Sequence, residues 1–350
     1  MNKEFYYRMA DNGIRIPIAA DLVLHSKPDH EDILLNGIRL GQVLEETAKK
    51  YNNPLAIPLM DLMLEKTIML KILGIDDRLI GPYHFSVNPT REDIDKIKTG
   101  IESFITERMK ADIEAIKYID KETDLLPVGM SIGPFSLLTK LVSDPITPVY
   151  LAGSGVTPED DDEIFMLETL LYLSVTVIER YIDLKIETGA KAILVAEPAA
   201  NLVYFSPKQI EEGSDIFDRY VIDTNKRLAE KMKSKGVELI FHCCGELNEI
   251  MLRKFTELQP IILTLGGSRV LWEDADVVPK DIILFGNIPS KKFYSDDEIT
   301  SEEVKSMSRE LIKRMGEKEH PFILGTECDV LFVKGAEDKI NSKVDAMMIA

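Results

Sequence analysis

Long apolar runs are missing from this 350-residue chain: no stretch of about eighteen consecutive apolar residues is present, as a membrane-crossing helix requires. The opening residues, MNKEFYYRMADNGIRIP, lack the continuous apolar core and small-residue cleavage site of a secretory leader. A cytoplasmic protein without membrane contact is therefore expected. Cysteine is scarce, and three is an odd count that makes a poor disulfide framework. That scarcity points instead to metal or thiol chemistry. Basic charge is also short: 42 Lys and Arg stand against 60 Asp and Glu, a net charge of -18. Nucleic acid is excluded as a partner, since binding its backbone takes clustered cations that displace counterions. No G-x-G-x-x-G loop is present to cradle a pyrophosphate. Repeats, low-complexity tracts and long Pro/Ser linkers are absent as well, which favours one domain over residues 1–350.

What the chain does have is a recurring unit: a short apolar, β-branched run, a polar turn, then an amphipathic stretch of helical length. The runs are LAIPL (55–59), a weaker LIGPYHF (79–85), LLPVGMSI (125–132), AILVAE (192–197), VELIFHC (237–243), PIILTL (260–265), DIILFG (281–286) and PFILGT (321–326). Several are apolar at almost every position, as parallel strands covered on both faces are. Thr90 with Asp93, Ser206 with Pro207, and the Thr300-Ser301 pair read as helix starts. Gly236 and Gly316 read as helix ends. Eight strands alternating with helices predict an α/β fold of the (β/α)8 TIM barrel type, with residues 1–53 as an N-terminal helical extension and 54–350 as the barrel. A doubly wound open sheet is the alternative.

In such a barrel, chemistry sits at the C-terminal ends of the strands. Asp61, Glu197, His242, Cys244, Asn287 and Cys328 all fall there. His242 and Cys244 are two residues apart, so on a strand end both face one side while Cys243 faces the other. A histidine and two thiolates form the protein ligand set of a catalytic zinc, and Cys328, on a strand across the mouth, is placed to supply the second thiolate. The His-x-Cys pair alone is equally the packed end of a strand. Asp61 and Glu197 fit a base, a substrate-orienting group or a helix cap. Gly133, in SIGPFSLL, marks a sharp turn that also permits close approach of a ligand.

Taken together, GPFSLL, GAKAILVAEPAANLVYFSPKQIEE, KGVELIFHCCGE, LFGNIPS and FILGTECDV resemble the uroporphyrinogen decarboxylase superfamily, and within it the zinc-dependent corrinoid methyltransferases. The resemblance runs from about residue 52 to the C-terminus. It implies a zinc ion on His242, Cys244 and Cys328, catalytic roles for Glu197 and Asp61, and substrate-side roles for Asn287, Gly133 and Tyr204. It also implies methylcobalamin supplied by a corrinoid-carrier protein, because the Asp-x-His-x-x-Gly loop of corrinoid carriers is not present here. The methyl group would pass to a small acceptor such as a thiol. The reverse direction, from a methylated donor to cobalt(I) corrinoid, and a barrel of other or lost activity are the alternatives. The decarboxylase branch carries an N-terminal arginine clamp and a late histidine, whereas this chain has RIPIAADLVLHSKPDHEDILL and Thr326. Related zinc methyltransferases bring in a glutamate some twenty residues after His-x-Cys, where this chain has Gly266 and Gly267. Glu246, Glu273, water or substrate are the candidates for the fourth position.

Overall fold

The computed structural model describes residues 3–350. Its eight strands are β1 (Arg15–Ile18), β2 (Leu55–Ala56), β3 (Leu126–Ile132), β4 (Ala192–Ala196), β5 (Glu238–Cys243), β6 (Ile262–Leu265), β7 (Ile283–Ile288) and β8 (Phe322–Asp329). They form one sheet in the order β1-β8-β7-β6-β5-β4-β3-β2, and each pair is parallel. Sequential order with the first strand beside the last is barrel order, and it rules out the doubly wound alternative. No ladder joins β1 to β2 among the described residues. The core bridges that seam: Ile16, Leu55, Val128, Leu194, Ile240, Ile262, Ile283 and Ile323, one from each strand, pack together inside the curled sheet. A second and larger core fills the layer between the sheet's outer face and the helices. Strands buried on both faces explain why their sequences are apolar at nearly every position.

Two strand expectations change. LIGPYHF is not a strand: Asp77–Ile80 is a helical turn, and the Lys66 ammonium binds the carbonyls of Gly81 and Tyr83 at 3.0 and 2.8 Å. Only Phe85 makes an isolated bridge, to Val142. The missing strand is Arg15–Ile18, inside residues 1–53, so that segment contributes β1 and the boundary at 53/54 does not separate an extension from the barrel. Four residues with Pro17 among them read poorly as a strand. Proline lacks an N–H to donate, yet an unladdered edge accepts it without loss. Ahead of β1, helix Glu4–Asp11 places Tyr6 and Met9 against the interior core, and the Tyr7 hydroxyl donates to the Asp281 carbonyl just before β7. This helix closes the N-terminal end of the barrel.

The helix starts are as the sequence indicates. Thr90 with Asp93 and Thr300 with Glu303 form reciprocal capping boxes, and Ser206 caps Gln209 N–H ahead of Pro207. The lengths differ. Residues 91–122 divide into Arg91–Ser103 and Glu107–Glu122, the second capped by Thr106. The helix from Pro207 stops at Glu211 and resumes through a π-turn (Asp218–Ile222) into Asp223–Ser234. Helix Ser301–Lys318 runs past Gly316 and ends on Glu319, at φ 50°.

Candidate metal centre at the barrel mouth

Inside β5, Ile240 faces the interior core while Leu239, Phe241 and Cys243 face the helices. The two-residue period of a strand then turns His242 and Cys244 into the mouth. Cys243 is fully buried on the outer side, with its Sγ 3.5 Å from the Ala200 carbonyl oxygen. Cys328 arrives from β8, and the ligand atoms of His242, Cys244 and Cys328 lie within 4.8 Å of one another. A regular β8 would point either Glu327 or Cys328 away. Pairing with β1 runs Ile16 to Gly325 and then Ile18 to Asp329, so β8 holds two extra residues at this point. Such a bulge re-aims side chains, and here it brings Cys328 to the mouth.

These three residues fit a zinc ion on the chemistry of their atoms. In the register of β5 and β6, His242 stands opposite Thr264, and its Nδ1 lies 2.7 Å from Thr264 Oγ1. With Nδ1 protonated and donating to that hydroxyl, the Nε2 lone pair is free. Nε2 is buried and has no hydrogen-bond partner among the described residues, a costly state for a ring nitrogen unless something occupies its lone pair. Two sulfurs stand beside it. The neighbouring Cys328 sulfur, aided by His242, outweighs burial and holds Cys244 far below the ordinary thiol range. The same proximity, together with burial, pushes Cys328 up. A lowered thiol pKa favours the thiolate, the form that binds zinc.

The surroundings of the trio include residues that sequence reasoning missed. Lys291, after β7, sets its Nζ 3.4 Å from the Cys244 carbonyl oxygen. Burial draws the lysine pKa down, but Cys244, Glu327 and Cys328 more than offset this and raise it. Met60 lies 3.9 Å from the Cys328 sulfur through its own. Glu327 accepts a 2.8 Å hydrogen bond from Gly267 N–H. Thr264, Met60 and Glu327 carry no local sequence signal, because register and the bulge bring them here. Lys291 follows a strand end in NIPSKK and was open to selection by that rule.

Other expected site residues stand elsewhere or are already engaged. Glu197 is fully buried and faces the start of helix Pro134–Leu141. Its carboxylate accepts from Ser136 N–H at 2.5 Å, Phe135 N–H at 3.3 Å and the Asn225 amide at 2.8 Å. It holds the helix terminus to the end of β4, a positioning role. Burial raises its pKa against the opposing pull of those donors. Gly133 belongs to the same arrangement: a Cβ there would stand 2.1 Å from Glu197 Oε2, so glycine makes room for a carboxylate of the chain itself. The Asn287 amide donates to the Gly266 and Arg269 carbonyls, both at 2.8 Å, and braces the turn after β6. Asp61 accepts from Met63 N–H and lies 3.4 Å from the Arg108 guanidinium. Tyr204 packs edge-on against Phe135 in the loop after β4. Glu246 and Glu273 are exposed and stand outside the ligand group.

Residues 55–347 match the model of the uroporphyrinogen decarboxylase (URO-D) family. The methylcobamide:CoM methyltransferase MtbA of Methanosarcina mazei is 26% identical over 156 residues, 44% of this chain and 40% of that protein. The MtbA of Methanosarcina acetivorans is 25% identical over the same shares. The alignment therefore spans less than half the length of either relative. A solved methyltransferase from Methanosarcina mazei superposes over 99% of this chain and 98% of its own with a TM-score of 0.67 at 16% identity, a likeness of fold. With the matched segment reaching from β2 to the last helix, the chain belongs to the uroporphyrinogen decarboxylase family.

Proposed function

We propose that this protein is a zinc-dependent methyltransferase that moves a methyl group from a corrinoid carried by a partner protein to a small thiol. The buried, unpartnered Nε2 of His242 beside two sulfurs carries this reading. Zinc bound by His242, Cys244 and Cys328 would favour the thiolate form of a substrate thiol, the nucleophilic form at neutral pH. In the overall transfer the S–H proton is released, the carbon–cobalt bond breaks with both electrons left on cobalt, and a carbon–sulfur bond forms. The products are a thioether and cobalt(I) corrinoid. Similarity to two methylcobamide:CoM methyltransferases supports the reaction class.

The chain's own residues prepare the site. Thr264 fixes the His242 ring. Asn287 braces the turn after β6, and Glu197 anchors the end of β4 next to β5. Lys291 places a positive charge beside the Cys244 thiolate. A partner protein delivering a corrinoid must cover the mouth, and the loops there expose Val203, Val270, Tyr294 and Leu331, apolar groups that suit transient docking.

Elemental analysis of the purified protein tests the metal. One zinc per chain, lost in both His242→Ala and Cys328→Ala, supports the reading; zinc absent from the wild type, or retained by both variants, refutes it. Methylcobalamin with a panel of thiols, and cobalt(I) corrinoid with methylated thioethers, then test the direction spectroscopically. Full metal occupancy without transfer in either assay would leave a metal-binding barrel of other function.

A further inference from the structure

We infer that Glu327 supplies the fourth, exchangeable ligand of the metal centre. The inference rests on the zinc reading above and extends it to a residue outside the trio. Glu327 immediately precedes Cys328, in the bulged part of β8 that turns both residues toward the mouth. It is 7% exposed. One carboxylate oxygen is held by Gly267 N–H, and the other has no hydrogen-bond partner among the described residues. The turn it touches lies on the site. A Cβ at Gly266 would meet the Cys244 carbonyl at 2.7 Å, and a Cβ at Gly267 would meet the Glu327 carboxylate at 3.1 Å. Two consecutive glycines thus let this turn lie against the Cys244 backbone through one and against the Glu327 carboxylate through the other.

Four other carboxylates near the strand ends are engaged or exposed. Glu197 is spent on a helix terminus, Asp61 faces Arg108, and Glu246 and Glu273 are exposed. Charge balance favours Glu327 as well. Zinc with two thiolates and a neutral histidine is neutral, a carboxylate makes it an anion, and the Lys291 ammonium, its Nζ 3.4 Å from the Cys244 carbonyl oxygen, restores neutrality. Glu327 is not part of the group whose ligand atoms lie within 4.8 Å of one another, and its carboxylate is held by a single neutral hydrogen bond from Gly267 N–H. A carboxylate so lightly held can join the metal and yield its position to a substrate thiol.

Cobalt(II) titration of the metal-free full chain tests this, with zinc affinity measured in parallel by chelator competition. Wild type, Glu327→Gln and Gly267→Ala are compared, each checked for folding by far-UV circular dichroism. Glu327→Gln is expected to keep one metal per chain, to lose affinity roughly 10–100-fold, as a lost ligand or its support does, and to shift the visible cobalt band. Gly267→Ala keeps the charge but crowds the carboxylate, so a band shift with a smaller loss is expected. It also decides the matter if Glu327→Gln does not fold. An unchanged band in the folded variants overturns the proposal even if affinity falls, because a carboxylate acting from outside the coordination shell leaves the band in place. Failure of the underlying metal reading looks different: wild type takes up no cobalt, or His242→Ala and Cys244→Ala bind it as wild type does.

Discussion

Replacing Glu197 separates two roles that its position in the sequence leaves open. A base is lost in Glu197→Gln with little effect on stability, whereas a helix anchor is lost mainly as stability. Its carboxylate takes two backbone N–H groups of the first turn of helix Pro134–Leu141 and the Asn225 amide. In Glu197→Ala both N–H groups are buried without an acceptor, at about 1–3 kcal/mol each. The Asn225 amide keeps its bond to the Val221 carbonyl at 2.9 Å and adds less. The expected loss is about 3–5 kcal/mol, with a favourable carboxylate–dipole interaction included. Glu197→Gln keeps one acceptor oxygen but turns an NH2 group toward a helix N–H, for about 1–3 kcal/mol. Urea unfolding followed by circular dichroism reads both losses as lower midpoints at an unchanged slope. Zinc content should remain at the wild-type level in the folded protein. Wild-type midpoints with methyl transfer abolished would refute the anchoring role and return Glu197 to the chemistry.

Thr264→Val keeps the shape of the side chain but removes the hydrogen bond to His242 Nδ1; zinc affinity by chelator competition should fall about 10–100-fold, and unchanged affinity would refute the orienting role. Gly133→Ala drives a methyl group to 2.1 Å from Glu197 Oε2 and should cost about 1–3 kcal/mol in urea unfolding, with the loss much reduced when Glu197→Ala is already present. Glu65 is fully buried on helix Leu64–Ile72, bound by the Ser131 hydroxyl, and burial, against the opposing pull of Lys185 and Ser131, lifts its pKa from 4.5 to about 6. The folded state therefore holds its proton more tightly than the unfolded chain, so the contribution is fully present below pH 4.5 and is lost as pH rises through 6. Relative to Glu65→Gln, wild type should lose about 2 kcal/mol of unfolding free energy between pH 4 and 7; a difference independent of pH would refute the shift.

Why the trio was legible and its surroundings were not follows from the range of each physical cause. His242 and Cys244 share a face because strand periodicity is local, and their place at the mouth follows from the position of the apolar run before them. The seven strands from β2 to β8 read well for the same reason, although β2 is far shorter than its apolar run and the second expected run is not a strand. By contrast, β1 is four residues with a proline and is recognisable only once β8 lies beside it. Glu197 shows the converse: a carboxylate directly after a strand is expected to be catalytic, and position 197 has the parity of the outer face, opposite to Ala196 in the interior core. Applying to Glu197 the alternation used for Cys243 and Cys244 would have sent it to the helix layer. Glu327 had the opposite fate. Alternation alone cannot place it and Cys328 on one side, and only the two-residue excess of β8 over β1 does so. The glycines that lie against that carboxylate are sixty residues away, at 266 and 267, and nothing in their own neighbourhood says what they leave room for. Strand parity thus supplies two candidate ligands from one short stretch, while a break in parity, invisible until two distant strands are paired, supplies the third and turns the carboxylate next to it in sequence toward the same turn.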